Sequence, residues 1–112
     1  MIDYVAVLED VYPGTEWSLL DNDPATLAWF SDGDAPTQAE LDAAWPAVRD
    51  ARAWAQVRLE RDRLLTASDW TQMPDTPLTA SVKQAWADYR QALRDIPQDF
   101  DNPDEIVWPG TP

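Results

Sequence analysis

The sequence contains neither cysteine nor histidine, and these absences exclude several classes of site. Without cysteine the chain has no disulfide, no thiolate metal ligand and no thiol nucleophile. Without histidine it has no imidazole ligand for zinc and no imidazole base. A pair of carboxylates could still hydrolyse a glycoside, but a 112-residue chain offers little cleft in which to perturb one of them. We therefore expect a protein that is not an enzyme and that uses no cofactor.

Basic residues are scarce and unevenly placed. Eight Lys and Arg stand against 21 Asp and Glu, which gives a formal net charge of −13. Residues 1–48 hold ten of the acids and no base. Nucleic acid and anionic membrane surfaces repel such a chain, so the expected partners are proteins. Mimicry of DNA phosphates, which would block a nuclease or a repressor, is an alternative that the charge alone leaves open.

Long apolar runs are also missing. No apolar stretch approaches the roughly 18 residues of a membrane span. No basic leader follows Met1, so no signal peptide is expected and we predict a soluble protein made in the cytoplasm. Apolar residues still make up 45% of the chain, with seven Trp, which distinguishes it from disordered segments. The length allows one small domain or two small lobes.

Composition and periodicity predict an α+β fold in three parts: an acidic, β-rich N-terminal lobe (1–36), a helical hairpin (37–97) and an extended, proline-rich tail (98–112). The lobe is predicted to hold a small antiparallel sheet. Its first strand is Ile2–Leu8, which is short, β-branched and aromatic. The second and third strands are Glu16–Leu20 and Thr26–Phe30, on either side of a turn-forming segment.

Two helices are predicted for the hairpin. Thr37 and Glu40 have the spacing of a capping box, so the first helix begins there and continues to residue 66. Pro46 removes a backbone hydrogen bond, so we expect either a kink or a new helix beginning near it. The second helix covers residues 79–95 and ends at Pro97.

Apolar residues at helical spacing predict the core of this hairpin. On the first helix, an apolar stripe begins with Trp45 and Val48 and continues through Ala55 and Leu59. The residues expected to meet between the helices are Trp86, Tyr89 and Leu93 on one side and Ala55, Leu59, Leu64 and Leu65 on the other.

Two acidic segments, Asp21–Asp23 and Asp32–Asp34, offer the clustered carboxylates that calcium binds. Neither has the spacing of a calcium-binding loop. Turn formation and solvation explain both, and no metal site is expected.

Four blocks follow one another in the second half of the chain: RLERDRLL (58–65), SDWTQMPD (68–75), AWADYRQALRDIP (85–97) and WP (108–109). In this order they resemble the tail assembly chaperone family of tailed bacteriophages, over residues 56–112. The N-terminal part is similar to the small acidic modules of XkdW-like phage tail proteins, through Tyr12-Pro13, Trp17 and Trp29.

The resemblance implies an assembly chaperone or adaptor that binds a phage tail or tail-fibre protein in the host cytoplasm and turns over no substrate. The alternative is a structural component that stays in the virion at the tail tip, baseplate or fibre junction. The sequence separates neither these two roles nor a monomer from a homo-oligomer.

Six residues are candidates for partner binding: Trp70, Met73, Arg90, Arg94, Phe100 and Trp108. Trp70 and Met73 either cover the hairpin core or stand exposed as an anchor. Arg61 and Arg94 either pair with Asp62 and Asp95 between the helices or, together with Arg58 and Arg90, form a docking face for a partner's carboxylates.

Overall fold

The computed structural model describes residues 1–112 and contains three α-helices and two strands. The element order is α1 (Tyr4–Val11), β1 (Trp17–Leu20), β2 (Asp23–Trp29), α2 (Gln38–Ser68) and α3 (Ala80–Asp99), with short 3-10 turns at Asp69–Gln72 and Pro103–Glu105. The predicted α+β class is confirmed. None of the helices combines the length and the apolar character that crossing a membrane requires.

The chain packs into two compact units, Met1–Arg52 and Ala53–Pro112, so the boundary lies within α2. The first unit carries eleven acids and two arginines, and the second carries ten acids and six bases. The division at residues 36 and 97, drawn from composition, stays a prediction.

The predicted first strand, Ile2–Leu8, is wrong, because the chain is helical from Tyr4 onward. The Asp3 carboxylate caps this helix by accepting a hydrogen bond from the Ala6 N–H at 3.0 Å. Tyr4, Val7 and Leu8 have helical spacing and turn inward, with Val7 and Leu8 fully buried. The cap and the helical spacing therefore outweigh the strand preference of the β-branched residues.

The other two predicted strands do pair, as a two-stranded antiparallel sheet in which Trp17 lies opposite Trp29. β2 begins at Asp23, three residues earlier than predicted. The two turn residues, Asp21 and Asn22, have φ angles of 51° and 58°. Tight two-residue hairpin loops require this left-handed conformation, and Asp and Asn tolerate it better than most residues.

Asn22 also joins the turn to the start of α1. Its Oδ1 accepts from the Tyr4 N–H at 2.8 Å, and its Nδ2 donates to the Ile2 carbonyl at 2.6 Å. The Tyr4 hydroxyl then donates to Asp42 Oδ1 on α2 at 2.7 Å. This bond to a carboxylate raises the pKa of Tyr4 above its ordinary value.

The core of the first unit is formed by α1, one face of the sheet and the first turns of α2. Its buried residues are Tyr4, Ala6, Val7, Leu8, Leu41 and Val48. Four sheet residues, Trp17, Leu19, Leu27 and Trp29, pack against them.

The start of α2 confirms one half of the predicted capping box, the bond from the Glu40 N–H to Thr37, whereas the Glu40 side chain binds the Thr37 hydroxyl and not the Thr37 amide as predicted. Thr37 Oγ1 accepts from the Glu40 N–H at 3.2 Å, and the Thr37 hydroxyl donates to Glu40 Oε1 at 3.2 Å. Pro46 lies inside this helix, which continues unbroken to Ser68, so a separate helix beginning at Pro46 is wrong.

α3 passes through Pro97 and ends at Asp99, so the predicted stop at Pro97 is also wrong. Proline is costly inside a helix because it lacks an N–H and crowds the preceding turn. Here it lies in the last turn, and the Phe100 N–H still donates to the Ile96 carbonyl at 3.2 Å. At the other end Thr79 caps the helix by accepting from the Val82 N–H at 3.3 Å.

The core of the second unit has Tyr89, Leu93 and Ile96 of α3 at its centre. Around them pack Trp54, Val57, Leu64, Leu65, Trp86, Phe100 and Ile106. The predicted α3 residues and the Leu64–Leu65 pair are thus confirmed.

Two of the predicted partners on α2, Ala55 and Leu59, are wrong. Ala55 is exposed and Leu59 is 65% exposed. Both continue the stripe of Trp45 and Val48, which serves the first unit, whereas the second unit uses Trp54 and Val57.

We expect Leu93→Ala to lower the free energy of unfolding by about 2–5 kcal/mol, because it opens a cavity in a closed core. Leu59→Ala removes the same atoms from an exposed site, so its effect should stay within about 0.5 kcal/mol. Urea unfolding followed by circular dichroism measures both. Equal losses would show that Leu59 is in the core after all.

Candidate partner-binding surface

Buried polar side chains fold the segment between α2 and α3. Ser68 and Thr71 are both buried, and the Thr71 hydroxyl donates to the Ser68 carbonyl at 2.6 Å. Gln72 Nε2 donates to Thr71 Oγ1 at 3.1 Å and to the Lys83 carbonyl of α3 at 3.3 Å. The segment is therefore pinned to α3 by its own side chains.

A second set of bonds comes from Arg90, whose side chain is 9% exposed. One terminal nitrogen donates to the Leu65 carbonyl at 2.6 Å and to Ser68 Oγ at 2.7 Å. The other donates to Asp69 Oδ1 at 2.7 Å. We call Leu65, Ser68, Asp69 and Arg90 the Arg90 clamp. It gives one of the last carbonyls of α2 a partner and fixes the direction in which the chain leaves the helix.

Two large side chains of this segment face outward. Trp70 is 50% exposed and Met73 is 55% exposed. The backbone holds them together, because the Met73 N–H donates to the Trp70 carbonyl at 3.4 Å. We call these two residues the Trp70–Met73 patch.

The patch rests on a row of aromatic rings. The Trp70 ring lies 6.2 Å from that of Trp86, which in turn meets Tyr89 edge to face at 5.5 Å. Lys83 Nζ donates to the Met73 carbonyl at 3.3 Å. Trp70 therefore covers part of the core and still presents half its surface, which combines the two alternatives drawn from the sequence.

The other four candidate residues have different surroundings. Arg90 is buried with both terminal nitrogens bonded inside the chain, and its Nε is buried without a hydrogen-bond partner, so in this structure it offers no docking surface. Arg94 is exposed on α3 and forms no hydrogen bond or ion pair. Phe100 packs on the second core. Trp108 is 37% exposed. No hydrogen bond or ring contact joins Phe100 or Trp108 to the Trp70–Met73 patch.

The predicted ion pairs between the helices are wrong. Arg61 donates to its neighbour Asp62, at 3.2 and 3.3 Å, within α2. Asp95 accepts from Gln91 Nε2 on its own helix at 3.0 Å. The guanidinium that does join the helices belongs to Arg90.

The sequence indicates that Arg90 is buried. It stands four residues after Trp86 and three before Leu93, which places it within the apolar stripe of α3. A base at such a position requires buried acceptors, because a charge removed from water must be paired. Ser68 and Asp69, just after a helix, are suitable ones.

The two acidic segments considered for calcium have structural explanations. Asp21 forms the hairpin turn. Asp32–Asp34 lies before α2 around Gly33, whose φ of 84° favours glycine. No group of three or more carboxylates is placed to hold a metal ion.

We expect Arg90→Lys to lower the free energy of unfolding by about 1.5–3 kcal/mol, because an ammonium cannot reproduce the fork that binds three acceptors. Amide hydrogen exchange at residues 69–73 should quicken. Arg94→Lys is the matched control, since the same change four residues along removes no bond. The clamp is refuted if both variants unfold and exchange alike.

Comparison with known proteins identifies the second unit. Residues 54–112 match the family described as phage tail assembly chaperone protein. The chain is also similar to protein CV0426 from Chromobacterium violaceum, known from a solution structure, with 36% identity over 80% of this chain and 91% of that chain and a TM-score of 0.47. No curated protein matches the chain.

The family match covers more than half of the chain and includes the Arg90 clamp and the Trp70–Met73 patch. Residues 1–53 lie outside it, so their similarity to XkdW-like proteins stays a prediction. The chain belongs to the phage tail assembly chaperone family, and its role is in the assembly of phage tails.

Proposed function

We propose that the protein is a chaperone that binds a phage tail or tail-fibre protein in the host cytoplasm and leaves before the particle is complete. Membership of the family supports a role in assembly rather than in catalysis. The observation that carries the binding mode is the Trp70–Met73 patch, which presents an aromatic ring and a thioether on a fixed loop.

The patch suits protein binding for two physical reasons. Tryptophan is enriched among the residues that dominate binding energy, and methionine adapts its shape to varied apolar surfaces. The loop is also ordered before a partner arrives, through Thr71, Gln72 and Arg90. Binding therefore costs little conformational entropy.

Release is supported by the closed cores of the two units. Leu8 in the first unit and Leu93 in the second are each fully buried within this chain. Neither core requires a partner to cover it, so the chain can associate and dissociate without exposing its interior. Arg94 and Trp108 remain further candidate contacts on the surface.

We expect the double variant Trp70→Ala and Met73→Ala to weaken binding to the partner tail protein by at least about ten-fold, since central anchors of an interface are worth about 2 kcal/mol or more each. The measurement is titration calorimetry with the purified tail and tail-fibre proteins of the same phage. The same samples on a sizing column show whether the chain is a homo-oligomer.

Leu59→Ala is the control for this experiment, because Leu59 is a large exposed apolar residue of the same unit outside the patch. Its affinity should equal that of the unmodified chain. The Trp70–Met73 patch is not the binding surface if the double variant binds normally while its melting temperature is unchanged.

Mass spectrometry of purified mature particles tests whether the protein leaves. The tryptic peptide of residues 64–83 contains the whole patch and gives a convenient quantitative signal. We expect this peptide to be abundant in infected-cell lysate and absent from particles. A fixed stoichiometry to known tail proteins would instead make the chain a structural virion component.

A further inference from the structure

A surface cleft of about 490 Å³ lies in the first unit, between the end of α1, the start of β1 and the residue that follows β2. Its walls include three aromatic rings, from Tyr12, Trp17 and Phe30, and two carboxylates, from Glu9 and Glu16. It belongs to the part of the chain that the family match does not cover. Its volume lies within the range of known ligand pockets, about 300–1,000 Å³.

The lining combines two features that attract the same kind of group. Aromatic faces attract cations through their quadrupole, and carboxylates bind cations directly. A guanidinium suits both, because it is planar, stacks on rings and forms forked hydrogen bonds with carboxylates. Residues 1–48 contain no base, and the cation that reaches the cleft lining is Arg52, which pairs with Glu9 and leaves Glu16 as the unpaired carboxylate.

One wall of the cleft already binds a guanidinium from this chain. Arg52 donates to both oxygens of Asp10, at 2.8 and 2.9 Å, and to Glu9 Oε2 at 3.1 Å. This bonding lowers the pKa of the Asp10 carboxyl. Glu16, just before β1, has no ion-pair partner, and its carboxylate is exposed.

Hydrogen bonds to backbone carbonyls hold the chain around the cleft. The Phe30 N–H donates to the Glu16 carbonyl at 2.8 Å, and the Thr15 hydroxyl donates to the Tyr12 carbonyl at 2.6 Å. Tyr12 also packs edge to face on Trp29 at 6.0 Å. The Phe30 side chain is 67% exposed, so it faces solvent without filling the core.

From these observations we infer that the cleft binds an arginine side chain of a partner protein. The guanidinium stacks on the exposed ring of Phe30 and pairs with the free carboxylate of Glu16. The site is separate from the Trp70–Met73 patch, which lies in the other unit, and its test uses no tail protein.

The experiment is a titration of the ¹⁵N-labelled full chain with the capped peptide Gly-Gly-Arg-Gly-Gly, followed by NMR. We expect saturable shifts at the Trp17 indole N–H and at the amides of residues 12–17 and 30. The citrulline peptide, which keeps the shape but removes the charge, should bind about ten-fold more weakly, since it loses both the ion pair and the cation–π attraction.

Two variants locate the site. Glu16→Gln and Phe30→Ala should each lower the affinity for the arginine peptide about two- to five-fold, as expected for partly exposed contacts. Asp101→Asn is the matched control, because it removes one negative charge from an exposed acid of the other unit. It should leave the affinity unchanged.

Three results would overturn the inference. If the citrulline peptide bound as tightly as the arginine peptide, the positive charge would not contribute to binding. If a lysine peptide bound with the same affinity as the arginine peptide, the cleft would be a general cation site and not one specific for arginine. Equal effects of Glu16→Gln and Asp101→Asn would show attraction to the overall charge instead of a local site.

Discussion

The buried guanidinium of Arg90 is the interaction on which the organisation of the second unit depends. A charge removed from water destabilises a fold unless acceptors surround it. Leu65, Ser68 and Asp69 supply them, and they come from the end of α2 and from the residues just after it. The path of the chain from α2 toward α3 is thereby restricted to one in which these three acceptors meet one side chain.

This restriction explains why the segment 68–75 is rich in small polar residues and still carries a tryptophan and a methionine. Ser68 and Thr71 turn inward, and their hydroxyl groups form hydrogen bonds within the chain. Trp70 and Met73 of the same segment stay about half exposed. The exposure of these two large apolar side chains is the basis of the proposed binding surface.

Periodicity predicted those parts of the fold in which one apolar face meets one core. The α3 stripe of Tyr89 and Leu93 is the example, and a separate capping signal placed Thr37 at the start of α2. It failed where two signals competed, as at residues 2–8, where a cap at Asp3 decides for a helix over β-branched residues. It also failed at Leu59, because the stripe of Trp45 and Val48 packs only in the first unit, and the second core uses different α2 residues, among them Trp54 and Val57. The clamp was missed because no periodic rule pairs an arginine with acceptors more than twenty residues away.

The two proposed binding sites rely on different physics. In the first, acids outnumber bases eleven to two, and the cleft combines carboxylates with aromatic rings. Attraction there acts over distances near the Debye length, about 8–10 Å at ordinary ionic strength, and salt weakens it. In the second, the Trp70–Met73 patch contributes through apolar burial, which acts only on contact and is insensitive to moderate salt. At the proposed cleft site, charge would therefore govern how fast a basic partner arrives, whereas at the proposed Trp70–Met73 site, apolar burial would govern how long a partner stays.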